Sequence, residues 1–99
     1  MKLWIDDVRP APEGYIWVKT VYAAKAIIIS SERCKETIEL INVDHDAGVF
    51  SEYGGDYIEL LDWLEETGRN YPIHIHSMNP VGVENMRAII QRNGWEEIK

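Results

Sequence analysis

Short apolar runs alternate along the chain with longer stretches whose apolar residues recur at helical spacing, and this alternation predicts its elements. Lys2 to Ile5 and Ile16 to Lys19 read as strands, separated by Val8-Arg9-Pro10-Ala11-Pro12-Glu13-Gly14-Tyr15, where prolines and a glycine oppose a helix. Thr20 is placed to cap a helix from Val21 to about Ser31, rich in alanine and isoleucine. Ile38 to Val43 predicts a third strand, ending in Asp44-His45-Asp46. Asp56-Tyr57-Ile58-Glu59 has capping-box spacing ahead of a helix from Tyr57 to about Thr67, with Ile58, Leu61 and Leu64 along one face and Gly68 after its last turn. Ile73 to His76 is a fourth strand. Asn79-Pro80 reads as the cap and first residue of a third helix that Asn93-Gly94 stops, and Trp95 to Ile98 predicts a fifth strand.

Strands alternating with helices predict an α/β fold with a parallel sheet, whose ligands bind at the carboxyl ends of the strands. A period of two sorts the strand residues into faces: Leu3, Ile5, Ile41, Val43, Ile73 and Ile75 on one, Trp4, Asn42, His74 and His76 on the other. Three helices then cover the apolar face, and the mixed face is left open or used to pair two copies in a homodimer.

Composition narrows the choice of partner. The 99 residues form one domain, 1–99, and 45% apolar with 27% charged residues is ordinary for a globular chain. Ten basic residues against 17 acidic ones give a net charge of −7, which repels a phosphate backbone and argues against non-specific binding to duplex nucleic acid. A small nucleotide, or one RNA end held through a metal ion, stays compatible with that charge. The single cysteine, Cys34, the early carboxylates Asp6 and Asp7, and the lack of any run of transmembrane length point to the cytoplasm and to no membrane partner.

The chemistry collects at the predicted strand ends. Asp6 and Asp7 follow the first strand and Asp44, His45 and Asp46 the third, so adjacent strands gather carboxylates whose repulsion a divalent cation, Mg²⁺ or Mn²⁺, would relieve. The plainer alternative is that these aspartates cap turns. His74 and His76 share a strand face at a spacing that chelates zinc if His45 or Asp44 approaches. Otherwise they divide into one structural and one catalytic histidine, with His76 the catalytic one. The segment from His76 through Ser77, Asn79 and Gly82 leads into a helix N-terminus, whose free amides suit a phosphate. Asn79 could equally serve only as a cap and Gly82 only as a close-packing residue. Arg9 offers a forked donor to phosphate or a partner to Asp7 or Asp46. The loop from Ala47 to Gly55 carries Phe50 and Tyr53, either as a lid with rings for base stacking or as cover for the core.

Four fragments in order, Leu-Trp-Ile-Asp-Asp-Val-Arg-Pro, Pro12-x-Gly14 with Trp17-Val18-Lys19-Thr20, Val43-Asp-His-Asp46 and Ile75-His-Ser-Met-Asn-Pro-Val-Gly82, span nearly the whole chain. Together they resemble the cyclic-phosphate processing receiver-like family. The resemblance implies a reduced receiver-like (flavodoxin-like) fold, a five-stranded parallel sheet of order 2-1-3-4-5, with Asp6, Asp7 and Asp44 matching the acidic pocket of response-regulator receivers. Two receiver helices are missing, one replaced by the proline-containing loop, and both would belong to one sheet face. A phosphorylation-competent receiver carries a lysine after its fifth strand, where this chain has only Lys99. The resemblance implies processing of cyclic phosphates such as 2′,3′-cyclic phosphate ends of RNA or related nucleotides. On that reading Asp6, Asp7, Asp44 and Asp46 hold a cation, Arg9, Ser77, Asn79 and Gly82 bind oxygens, and His76, His45 and Asp44 are the catalytic candidates. The alternatives are a binding module without turnover and a degenerate phosphoacceptor receiver with Asp44 as acceptor.

Overall fold

A computed structural model describes residues 1–99. Its strands are β1 (Lys2–Ile5), β2 (Tyr15–Val18), β3 (Leu40–Val43) and β4 (Ile73–Ile75), and its helices α1 (Val21–Arg33), α2 (Ile58–Glu66) and α3 (Pro80–Asn93), with a 3₁₀ turn at Gly48–Glu52 after β3. The sheet is parallel throughout, in the order β2-β1-β3-β4. Its register sets Trp17, Trp4, Asn42 and His74 in one row across all four strands.

Burial follows the period of two. Leu3, Ile5, Val18, Ile41, Val43 and Ile73 are closed off from solvent by Val21, Ala24 and Ile28 of α1, Leu60, Leu61 and Leu64 of α2, and Met86, Ile89 and Ile90 of α3. Burying side chains of this size contributes roughly 1.5–3 kcal/mol each, which ties all three helices to one face of the sheet. The opposite face keeps its mixed character, with Trp4, His74 and His76 half-buried and Asn42 buried.

Several caps act as their residue types predict. Thr20 Oγ1 accepts the Ala23 amide at 2.9 Å, Asn79 Oδ1 accepts the Gly82 amide at 3.0 Å, and Gly94 ends α3 in the left-handed region at φ 67°. The capping box ahead of α2 does not form. Tyr57 occupies the cap position with no side-chain cap, while Asp56 Oδ1 accepts the Ala47 amide at 3.0 Å and so closes the preceding loop. Within that loop Phe50 packs against the core and Tyr53 stays exposed.

The expected fifth strand is reduced to one parallel bridge, Ile73 to Glu97, so the sheet has four strands and the order 2-1-3-4. Side-chain commitments explain the shortfall. Trp95 turns into the core, Arg87 grips Glu97 from α3 with contacts of 2.7–2.9 Å, and the backbone of β4 bonds to the segment through the Ile73 amide and carbonyl alone, to Glu96 and Ile98. No helix is long and apolar enough to cross a membrane.

Candidate functional site

Parallel strands deliver their following loops to one edge of the sheet, and there the ends of β1, β3 and β4 bring Asp6, Asp44 and His76 together. One ligand atom from each lies within 4.8 Å of the others. Asp6 is 1% exposed. Its Oδ1 accepts the amides of Val8 and Arg9, both at 2.9 Å, so the turn after β1 wraps around the carboxylate, and its Oδ2 lies 2.8 Å from His76 Nε2. Burial works to raise Asp6, but hydrogen bonds from Arg9, Val8 and His76 prevail and hold its carboxyl below the usual range.

His76 is held on three sides. The Trp4 indole stacks on it with centroids 3.9 Å apart and planes 5° from parallel, Asn42 Oδ1 lies 2.6 Å from Nδ1, and Asp6 faces Nε2. Burial pushes the imidazole down, against the upward pull of Asp6. Oxygens thus face both ring nitrogens, whereas a neutral imidazole carries one N–H. The arrangement is completed by a second proton or by a cation beside Nε2 and Asp6 Oδ2. Two carboxylates and one imidazole around a single point form a donor set that fits a divalent cation.

The other acidic candidates stand around this group. Asp7 is half-buried, and burial together with the charges of Asp6 and Asp44 raises its carboxyl. Gly48, at φ +56°, brings the backbone so near Asp7 Oδ2 that a Cβ there would collide with it. Asp44 Oδ1 accepts the His45 amide at 2.7 Å. Beneath the cluster the buried Tyr57 hydroxyl donates to the Lys19 carbonyl at 2.7 Å; burial, then Asp7, Asp6 and Asp44, keep it protonated well beyond the ordinary range.

His45 and Asp46 lie outside the Asp6–Asp44–His76 group. They pair with each other, His45 Nδ1 to Asp46 Oδ1 at 2.9 Å, and the His45 ring packs over Gly82 at the start of α3. His74 donates nothing to a metal cluster; its Nδ1 lies 2.8 Å from the Ile98 carbonyl, so of the two strand histidines His74 is the structural one. The phosphate candidates are partly consumed internally. Asn79 Oδ1 and the Gly82 amide bond to each other, which realises their capping and packing roles, and Ser77 Oγ accepts the Asn79 amide at 3.1 Å, leaving its O–H to donate. Arg9 pairs with neither Asp7 nor Asp46. Its guanidinium donates to the His76 carbonyl at 3.3 Å from an exposed position. Lys99, the only lysine near the place where receivers carry theirs, is ion-paired to Glu97 at 3.4 Å.

Sequence reasoning singled out neither Asn42 nor Trp4 as site residues. The signal was present in the period of two, which set both on the same face as His76, but side-chain contact across three strands is not readable from spacing. Trp17 escaped for the same reason; its indole donates to the Asp6 carbonyl at 2.8 Å.

The fragments at these strand ends agree with a comparison of the whole chain against protein families, in which the Cyclic-phosphate processing Receiver domain matches residues 1–92. The chain belongs to that family. Neither a curated protein nor a solved structure gives a match. The three helices and the parallel sheet of order 2-1-3-4 are consistent with a receiver fold.

Proposed function

We propose that this receiver domain hydrolyses a cyclic phosphate, such as a 2′,3′-cyclic phosphate on a nucleotide or RNA end, to a monoester. The observation that carries the reading is the convergence of Asp6, Asp44 and His76 at the carboxyl edge of the sheet, together with membership of the family. Asp6, Asp44 and His76 Nε2 would hold a divalent cation, Mg²⁺ or Mn²⁺, with Asp7 adding negative charge alongside. Such a cation supplies charge neutralisation at the phosphoryl oxygens. Arg9 and the Ser77 hydroxyl, both on the rim, bind the remaining oxygens.

Ring opening forms one bond from water oxygen to phosphorus and breaks one bond from phosphorus to a ring oxygen, and a proton moves from the water to the leaving oxygen. Both nitrogens of His76 are engaged, which suits it to ligation. His45 has Nδ1 fixed by Asp46 and is the better residue to carry the proton through Nε2. The acid and base roles considered for the two histidines therefore divide into ligand and proton carrier.

A second reading, recognition of a nucleotide without turnover, is favoured by one observation: the groups of Asn79 and Gly82 that would bind phosphate are bonded to each other. Phosphorus NMR of 2′,3′-cyclic nucleotides and of a short RNA bearing that end, with Mg²⁺ or Mn²⁺, separates the two. A monoester resonance formed by the wild type and lost in Asp44→Asn and His45→Ala supports hydrolysis. Broadening of the substrate resonance without product supports recognition. Neither response to any cyclic phosphate overturns both. Pairing of two copies through the open sheet face belongs to the same proposal, and sedimentation at several concentrations tests it.

A further inference from the structure

The mixed sheet face contains one buried amide, Asn42, 8% exposed, in the central strand β3. A buried polar side chain in such a row is destabilising unless it is hydrogen-bonded, and its partner here is the one histidine that reaches the acidic group. From this geometry we infer that Asn42 is a positioning residue for His76: its Oδ1 accepts Nδ1–H, fixes the ring's tautomer and rotation, and thereby presents Nε2 as the nitrogen that ligates a cation beside Asp6 and Asp44. The inference rests on the metal-binding reading of the site and adds which nitrogen binds and what selects it.

The contacts around the ring form a closed circuit. Trp4 limits tilt by lying flat on the imidazole, and its own indole N–H is tied to the Arg9 carbonyl at 2.8 Å. Arg9 returns to the His76 carbonyl, and its amide to Asp6 Oδ1. Within this circuit only Asn42 touches Nδ1. Rotating the ring by half a turn would put a carbon where each nitrogen now stands, so the amide oxygen on one side and the carboxylate on the other both oppose that turn. Outer partners of ligating histidines act in this way, and their loss typically weakens metal affinity 10- to 100-fold.

The test combines ring-nitrogen NMR with Mn²⁺ titration on the full chain. Asn42→Leu keeps the approximate volume and removes the acceptor, while Asn42→Asp restores an acceptor. In wild type saturated with Mg²⁺ at about pH 8, where a histidine ring is ordinarily neutral, long-range ¹H–¹⁵N spectra should show the His76 proton at Nδ1, with Nε2 turned from Asp6 to the cation. In Asn42→Leu at the same Mg²⁺ concentration the proton should stand at Nε2, donated to Asp6, and Mn²⁺ affinity should fall 10- to 100-fold with the far-ultraviolet circular dichroism unchanged. Asn42→Asp should return the proton to Nδ1. An unaltered proton position in Asn42→Leu overturns the inference, as does a moved proton with unaltered Mn²⁺ affinity. If Asn42→Leu does not fold, a proton found at Nε2 in Mg²⁺-saturated wild type or Asn42→Asp overturns it and a proton at Nδ1 in both supports it. Failure of wild type to bind Mn²⁺ or Mg²⁺ overturns the metal reading and with it the ligand role of Nε2, whereas normal binding with an unmoved proton in Asn42→Leu overturns the role of Asn42 alone.

Discussion

The imidazole of His45 occupies the space that a side chain on Gly82 would need: a Cβ at Gly82 would lie 2.5 Å from Cγ and 2.6 Å from Cδ2 of the ring. In an open helix, glycine to alanine stabilises by up to about 1 kcal/mol. Here the overlap reverses the sign. Gly82→Ala should destabilise by about 1–3 kcal/mol, the usual range for overpacking. The double variant with His45→Ala should recover most of that loss. Urea denaturation of the four proteins in the cycle measures the coupling, and additive effects would show that the ring has room to move away.

The flat stack of Trp4 on His76 gives a second expectation. Aromatic pairs contribute about 0.5–1.5 kcal/mol beyond the area they bury. Trp4→Phe should keep the stack at a cost of about 1 kcal/mol or less, and Trp4→Leu should lose it. The His76 Hδ2 and Hε1 resonances report the outcome, because the ring current of the indole shifts them upfield in the wild type and the shift should vanish in Trp4→Leu.

Asp7 predicts a gain of stability from loss of charge. Its carboxyl is raised by burial and by Asp6 and Asp44, so the charged form is disfavoured in the folded state. The penalty is present above the folded pKa and disappears as the pH falls below the ordinary carboxylate value. Asp7→Asn should therefore raise the melting temperature at neutral pH without metal. Added Mn²⁺ should raise the melting temperature of the wild type more than that of the variant. A lower melting temperature in metal-free Asp7→Asn would show that hydrogen bonding by the carboxylate outweighs the repulsion.

Acid should act through the opposite kind of carboxylate. Hydrogen bonds from Arg92 and Asn93 lower Glu65 to about 2, Arg69 and Tyr71 lower Glu32, and Arg87 lowers Glu97. A depressed carboxyl stabilises the fold fully above its ordinary value, and the contribution is lost as the pH falls through the folded one. Glu65→Gln should then be less stable than the wild type at pH 7, by a small margin because the pair is on the surface. The two proteins should converge towards about pH 2. Denaturant midpoints across that range provide the comparison.

Much of this organisation is local and so was legible in the residues. Thr20 and Asn79 each cap the helix that follows, and the alternation of Leu3 and Ile5 against Trp4 carries directly into burial. What was not legible depends on contacts between distant segments. Asp56 has the residue type and spacing of a cap, but the Ala47 amide nine positions earlier competes for its oxygen and takes it. Trp95 to Ile98 has the pattern of a strand, yet Arg87 and the core hold its side chains before a ladder can extend. At the site, spacing gathers Asp6, Asp44 and His76 at one edge, but whether a histidine turns inward, as His76 does, or pairs with its own neighbour, as His45 does, is set by Asn42 and Asp46.

The single bridge between Ile73 and Glu97 bears on how the molecule resists self-association. An exposed strand edge is a template on which another chain can add hydrogen bonds. Both backbone groups of Ile73 are already taken by Glu96 and Ile98, and the Ile98 carbonyl is bonded in turn to the His74 ring. The short segment therefore acts as an end-stop on the β4 side without becoming a new edge of comparable length. The opposite border, β2, has no such segment beside it, so aggregation by edge pairing should begin there more readily than at β4.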